Sequence, residues 1–109
     1  MAVLSDRRFK TAIESIESTG LIRIKCLRPV YYRYVFDEPE RDRRVGFIAQ
    51  EVLKIVPEAV DVMADEEQSM SLRPQEIIPF LVKAVQELST KVEQLESILS
   101  SCTQQKVSQ

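Results

Sequence analysis

A serine followed by a lysine five residues on, in Ser5-Asp6-Arg7-Arg8-Phe9-Lys10, is the local pattern here that could supply a nucleophile and its base. The chain contains no histidine. Histidine triads, histidine–cysteine dyads and most zinc chemistry are therefore excluded. Lysine serves as a base only when its amine is neutral. Burial against apolar groups favours that state, and nearby positive charge helps. Phe9 and Ile13 offer an apolar wall, and Arg7 and Arg8 offer charge. Five residues of α-helix turn through roughly 500°, so Ser5 and Lys10 share no helical face. A dyad within one chain requires Ser5 to precede the helix and fold back. Otherwise Lys10 must come from a neighbouring chain. The plain alternative is Ser5 as a helix cap and Lys10 as a solvated side chain.

Little else in the composition is chemical. Cys26 and Cys102 form neither a metal-ligand spacing nor a disulfide framework. They read as free buried thiols, which fits a reducing compartment. The two glycines, Gly20 and Gly46, are too few and too far apart for a phosphate-cradling loop. No cofactor and no metal are expected. Net charge is -2, which gives no electrostatic case for nucleic acid as a partner. The cluster Arg41, Arg43 and Arg44 is interleaved with acids and reads as a solvated loop. No apolar run reaches the roughly 18 residues of a membrane span, and the N-terminus has no signal pattern. At 109 residues the chain is sized for one domain, 1–109.

The elements that must hold Ser5 and Lys10 follow from periodicity. Phe9, Ile13 and Ile16 predict a short helix over 6–18, capped by Ser5 or Asp6 and ended by Gly20. The β-branched and aromatic content of 21–36 predicts extended chain, with a break at Pro29. Residues 37–44 read as a hairpin tip, and Val45 to Ile48 as the returning strand. Val52, Leu53, Ile55 and Val56 predict a second short helix, stopped by Pro57. Residues 58–70 read as a loop with one short strand at Ala59 to Met63.

The last third carries the strongest periodicity. Ile78, Val85, Val92 and Leu99 fall at heptad position a; Leu81, Leu88, Leu95 and Cys102 fall at d. Pro74 suits a first helical turn, and Pro79 should bend the helix or reset its start. A helix of 25 to 30 residues is about 40 Å long, more than a small globule needs. Lys91 at g and Glu96 at e have the register of an interchain pair in a parallel coiled coil. Valine at a with leucine at d favours dimers, whereas Val82 at e with Ala84 and Ile98 at g widens the apolar face towards trimers. The heptads alone leave dimer and trimer open.

Four features in order carry a resemblance: Ser5-Asp6 with Arg8 and Lys10, the tyrosine-rich Val30 to Tyr34, Gly46 to Val52 (GFIAQEV) with Pro57-Glu58, and the closing helix from Ile77. Over residues 5–100 the chain resembles the intramolecular chaperone auto-processing domain at the C-terminus of phage tailspikes and tail fibres, such as endosialidases. A related domain occurs in the membrane-bound myelin regulatory factor. The resemblance implies an α+β fold: a small mixed domain over 5–72 with short helices and a β-hairpin, then a trimerisation helix over 73–102 forming a parallel trimeric coiled coil, and a frayed tail at 103–109. The trimer interface would be Ile78, Leu81, Val85, Leu88, Val92, Leu95 and Leu99. The domain would template the folding of an upstream client segment of the same polypeptide and then release itself by autoproteolysis. Ser5 would be the nucleophile and Lys10 the general base, with cleavage at Leu4–Ser5 or Ser5–Asp6. Arg8, Gln50 and Glu51 would support the site, the last two more structurally than catalytically. It would act in the host cytoplasm during virion assembly and be absent from the mature virion. With only Met1 to Leu4 ahead of Ser5, the chain is expected to be a released or truncated chaperone. Two alternatives stand beside this: a non-proteolytic oligomerisation module, and the self-cleaving trimerisation domain of a membrane-tethered transcription factor.

Overall fold

Gly20 and Ala84 let two helices of the chain meet at backbone distance. In the computed structural model, which describes residues 2–107, α1 (Gly20–Cys26) lies against α3 (Ile78–Val107). A Cβ placed on Gly20 would sit 2.8 Å from Lys83 Cβ and 3.1 Å from the Ala84 backbone nitrogen. The Gly20 N–H donates to Glu87 Oε1 at 3.0 Å. That bond satisfies one of the N–H groups a helix leaves unpaired at its start.

This helix corrects the expected reading of 21–36 as extended chain. Leu21, Ile24 and Leu27 recur every third residue and are all partly buried, while Ile22, Lys25 and Cys26 face solvent. Packing on α3 and on the core decides the matter against β propensity, which is weak and context-dependent. Gly20 accordingly begins a helix instead of ending one. The helix expected over 6–18 is also absent. Only Arg7–Phe9 form a single 3-10 turn, and Ala12 sits in the left-handed region at φ 54°. Phe9 and Ile13 are 68% and 58% exposed. A short amphipathic helix without a surface to pack on is marginal in water.

The expected hairpin is present. Strand β1 (Val30–Tyr32) pairs antiparallel with β2 (Arg44–Gly46), setting Tyr31 opposite Val45. Its tip is more organised than a solvated loop. Asp37 accepts the Tyr34 N–H at 2.8 Å and pairs with Arg44 at 3.2 Å. Arg43 lies over the Tyr31 ring and Arg44 over the Tyr34 ring. The second short helix, α2 (Ala49–Leu53), ends ahead of a 3-10 turn at Pro57–Ala59. Beyond it β3 (Val60–Val62) pairs antiparallel with β4 (Met70–Leu72), a strand that the sequence reading missed.

The core is small. Val52, Val56, Ala59, Val60 and Ile77 form it, with Ile24, Leu27, Phe47, Leu72 and Phe80 packed around them. Pro74 opens a 3-10 turn at Pro74–Glu76, and α3 begins afresh at Ile78, so Pro79 falls in its first turn. The helix continues through Val107, past the expected end at 102; residues 108 and 109 of the expected frayed tail lie outside the described residues. Both cysteines are exposed free thiols, a correction of the buried reading. Neither lies against the core, and Cys102 sits on the open stretch of α3. No helix among the described residues is long and apolar enough to cross a membrane.

Candidate functional site

Asp6 builds the turn that folds Lys10 back. As N-cap of Arg7–Phe9 it accepts the Arg8 N–H on Oδ1 at 2.9 Å, the bond that makes aspartate a favoured cap. The Phe9 and Lys10 N–H groups donate to the Asp6 and Arg7 carbonyls, both at 3.1 Å. With the chain wound so tightly, Lys10 Nζ donates to Ser5 Oγ at 2.7 Å. The geometric condition set by the spacing is thus met within one chain: Ser5 precedes the turn, and Lys10 reaches back to it.

The Arg8 side chain closes on the same carboxylate. Its Nε and Nη2 reach the Asp6 oxygens at 3.2 and 2.9 Å. The Arg8 bonds hold the Asp6 carboxyl below the usual carboxylate range. Leu4, Ser5 and Lys10 are all exposed. Among the described residues, no hydrogen bond or ion pair joins residues 2–12 to the rest of the chain. The structure therefore brings Ser5, Asp6, Arg8 and Lys10 together on an arm that stands clear of the core.

Gln50 and Glu51 are elsewhere. Glu51 accepts two bonds from Arg28, the shorter at 2.7 Å. That pairing lowers its carboxyl from the ordinary value and ties α2 to the residue before Pro29. Gln50 lines an apolar cleft of about 1030 Å³ between the β1–β2 hairpin, α2 and β4. The sequence reading did not anticipate this cleft, nor the aromatic ladder beside it. Tyr32 meets Tyr34 edge-on at 5.3 Å, and Tyr34 stacks on Phe36 at 4.9 Å. The alternation Tyr32, Tyr34, Phe36 was the available signal for that ladder.

The heptad residues lie bare. Ile78, Leu81, Val85, Leu88, Val92, Leu95 and Leu99 are each between 45% and 66% exposed. Seven large apolar side chains in one stripe far exceed the scattered exposure of a monomer surface.

The family model described as chaperone of endosialidase, a peptidase family by its label, matches residues 5–61. The long tail fiber protein Gp37 of Enterobacteria phage M1 is 30% identical over 110 residues, covering 97% of this chain and 44% of that protein. Its counterpart in Enterobacteria phage Ox2 is 30% identical over 99 residues, covering 87% of this chain and 39% of that protein. The chain thus spans about two fifths of the length of these relatives. The matched segment runs from Ser5 through the hairpin and α2 to β3, just over half of the 109 residues, and on that match the chain belongs to the chaperone-of-endosialidase family.

Proposed function

We propose that this chain is an intramolecular chaperone for a phage tail fibre, assembling as three copies through α3 and then cutting itself from its client at Leu4–Ser5. The 2.7 Å contact between Lys10 Nζ and Ser5 Oγ carries the reading. Family membership and the tail fibre relatives support the chaperone role and a fused client. The bare stripe on α3 supports association. It lies on the side of α3 left open by Phe80 and Ala84, which face the core and α1. The site of action is the host cytoplasm during virion assembly.

Ring size selects the bond. Attack by Ser5 Oγ on the Leu4 carbonyl carbon closes a five-membered ring through Cβ, Cα and the Ser5 nitrogen. Attack on the carbonyl of Ser5 itself would close a strained four-membered ring. In the first step neutral Lys10 takes the Oγ proton as the new C–O bond forms. The C–N bond then breaks, and Lys10 returns the proton to the departing Ser5 amine. Water hydrolyses the resulting ester, leaving a Leu4 carboxylate and a free Ser5 amine. An exposed lysine is a poor base. Assembly answers this: a neighbouring chain covering Phe9, Ile13 and the arm would remove water from the dyad. Cleavage would then wait on completed association.

The test is a fusion of this chain to an upstream trimeric fibre segment, with the products weighed. Cleavage before Ser5, abolished in Ser5→Ala and slowed by orders of magnitude in Lys10→Ala, is the expected result. An uncut, correctly assembled product from the unmutated fusion would overturn the proteolytic part. Sedimentation of this chain alone checks the three-copy state.

A further inference from the structure

Lys10 has two kinds of side-chain oxygen close to it in sequence, the Ser5 hydroxyl and the Asp6 carboxylate. A carboxylate is the stronger partner for an ammonium, since charge-assisted hydrogen bonds are roughly twice as strong as neutral ones. Yet Lys10 Nζ donates to Ser5 Oγ at 2.7 Å, and no Lys10–Asp6 ion pair is present among the described residues. Three N–H donors of Arg8 already occupy the Asp6 carboxylate, Nε–H being shared between its two oxygens. Oδ1 accepts the Arg8 N–H at 2.9 Å and Nε at 3.2 Å; Oδ2 accepts Nη2 at 2.9 Å and Nε at 3.3 Å.

We propose that Arg8 is a positioning residue of the dyad: its guanidinium fork occupies Asp6 and so leaves the Lys10 amine to Ser5. This rests on the serine–lysine reading above. A planar fork matches a carboxylate two-pronged, which a lysine at the same position does not. The consequence is chemical. A lysine paired with a carboxylate keeps its proton and turns away from the hydroxyl it should deprotonate. Arg8 prevents both. The charged groups nearest Lys10 in sequence are Asp6, Arg7 and Arg8, and no hydrogen bond or ion pair among the described residues brings another element to it. A cap-only role for Asp6 makes a different prediction. Asparagine caps as well as aspartate, so the turn itself would be indifferent to Asp6→Asn.

Trace labelling with acetic anhydride tests this on the chain as it stands. The readout is acetylation of Lys10 relative to Lys25 and Lys54 by peptide mass spectrometry. Arg8→Ala should lower the Lys10 ratio about threefold, the size of one exposed ion pair. The double variant Asp6→Asn/Arg8→Ala should restore it. Arg8→Lys keeps the charge but not the fork, and should lose at least half of the effect. The self-cleaving fusion should show the same order in rate, with the Arg8→Ala pH–rate profile displaced to higher pH. An unchanged Lys10 ratio in Arg8→Ala would overturn the proposal. So would a double variant that stays low, or Arg8→Lys behaving as the unmutated chain. If the unmutated fusion does not cut, the proteolytic reading falls, while the labelling ratios still decide what Arg8 does.

Discussion

The N-terminal arm and the distal part of α3 are both bare in the single chain, but they are ordered by different means. The arm owes its shape to bonds within six residues, from the Asp6 cap to the Lys10–Ser5 contact. Helix α3 beyond Glu87 owes its shape to a heptad run that no glycine or proline interrupts. Between them lies the packed body, where partners are distant in sequence. The candidate dyad is thus defined locally, the apolar stripe periodically, and the body between them by long-range contacts.

The largest effect should come from breaking the arm. Ser5→Ala in a client fusion removes the nucleophile, and cleavage should vanish over days by mass spectrometry. Lys10→Ala should slow it by about 10²–10⁴-fold, the usual contribution of a positioned base. Neither change touches α3, so in the chain without a client the sedimentation coefficient should stay that of the unmutated chain. A fall in oligomer size in Ser5→Ala would show that arm and helix are not separable.

Breaking the stripe should act the other way round. Leu88→Asp with Val92→Asp places charge on residues 50% and 45% exposed in the single chain, and should reduce the assembly to monomer in sedimentation. Circular dichroism from the body should persist, because its core around Val52 and Val56 lies elsewhere. Cleavage in a fusion should drop at least about tenfold if association covers the arm, since burial is what frees a lysine to act as base. Cys102 sharpens the same comparison. In a Cys26→Ser background, mild oxidation should link two chains through Cys102 if the helices run parallel and in register. An antiparallel arrangement would keep these thiols apart.

The same contrast explains what could be read from sequence. The spacing of Ser5 and Lys10 raised a dyad but left a cap and a solvated lysine as the plain alternative, and the resemblance supplied their roles; the heptads stood out because they repeat. Helix α1 was misread because LIRIKCL alternates well enough for a strand, while its helical state is decided by Gly20 meeting Ala84 and by Ile24 and Leu27 reaching the core. Strand β4 was missed because Met70–Leu72 is too short to carry a period, and only its pairing with Val60–Val62 defines it. The arm was predicted as helix from Phe9 and Ile13, which have periodicity but nothing to pack on. The roles of Gln50 and Glu51 in the α2 region depend on Arg28 and on the cleft, neither of which their spacing discloses.

A smaller effect tests the body alone. Gly20→Ala would press a methyl against Lys83 and the Ala84 backbone at 2.8 and 3.1 Å. Alanine favours helix, but overpacking at a backbone contact costs about 1–3 kcal/mol. Thermal unfolding should fall accordingly, with the dyad geometry and the stripe untouched. An unchanged melting temperature would mean that α1 can slide along α3 without loss.

The smallest effect is electrostatic, in the hairpin. Arg44 and the Tyr34 N–H hold the Asp37 carboxyl below its ordinary value. A carboxyl lowered on folding adds stability that is fully present above the unfolded value of about 3.9 and is lost as pH falls through the folded one. Asp37→Asn should therefore lower the melting temperature slightly at neutral pH, and the two proteins should converge below pH 4. The tyrosine signal of the Tyr32–Tyr34–Phe36 ladder should follow the same course, because Asp37 anchors the Arg44 that lies over Tyr34. Equal melting temperatures at neutral pH would mean that the Asp37 backbone turn, which the variant keeps, and not its charge, holds the tip. The hairpin would then belong with the arm, as a structure fixed by neighbours in sequence.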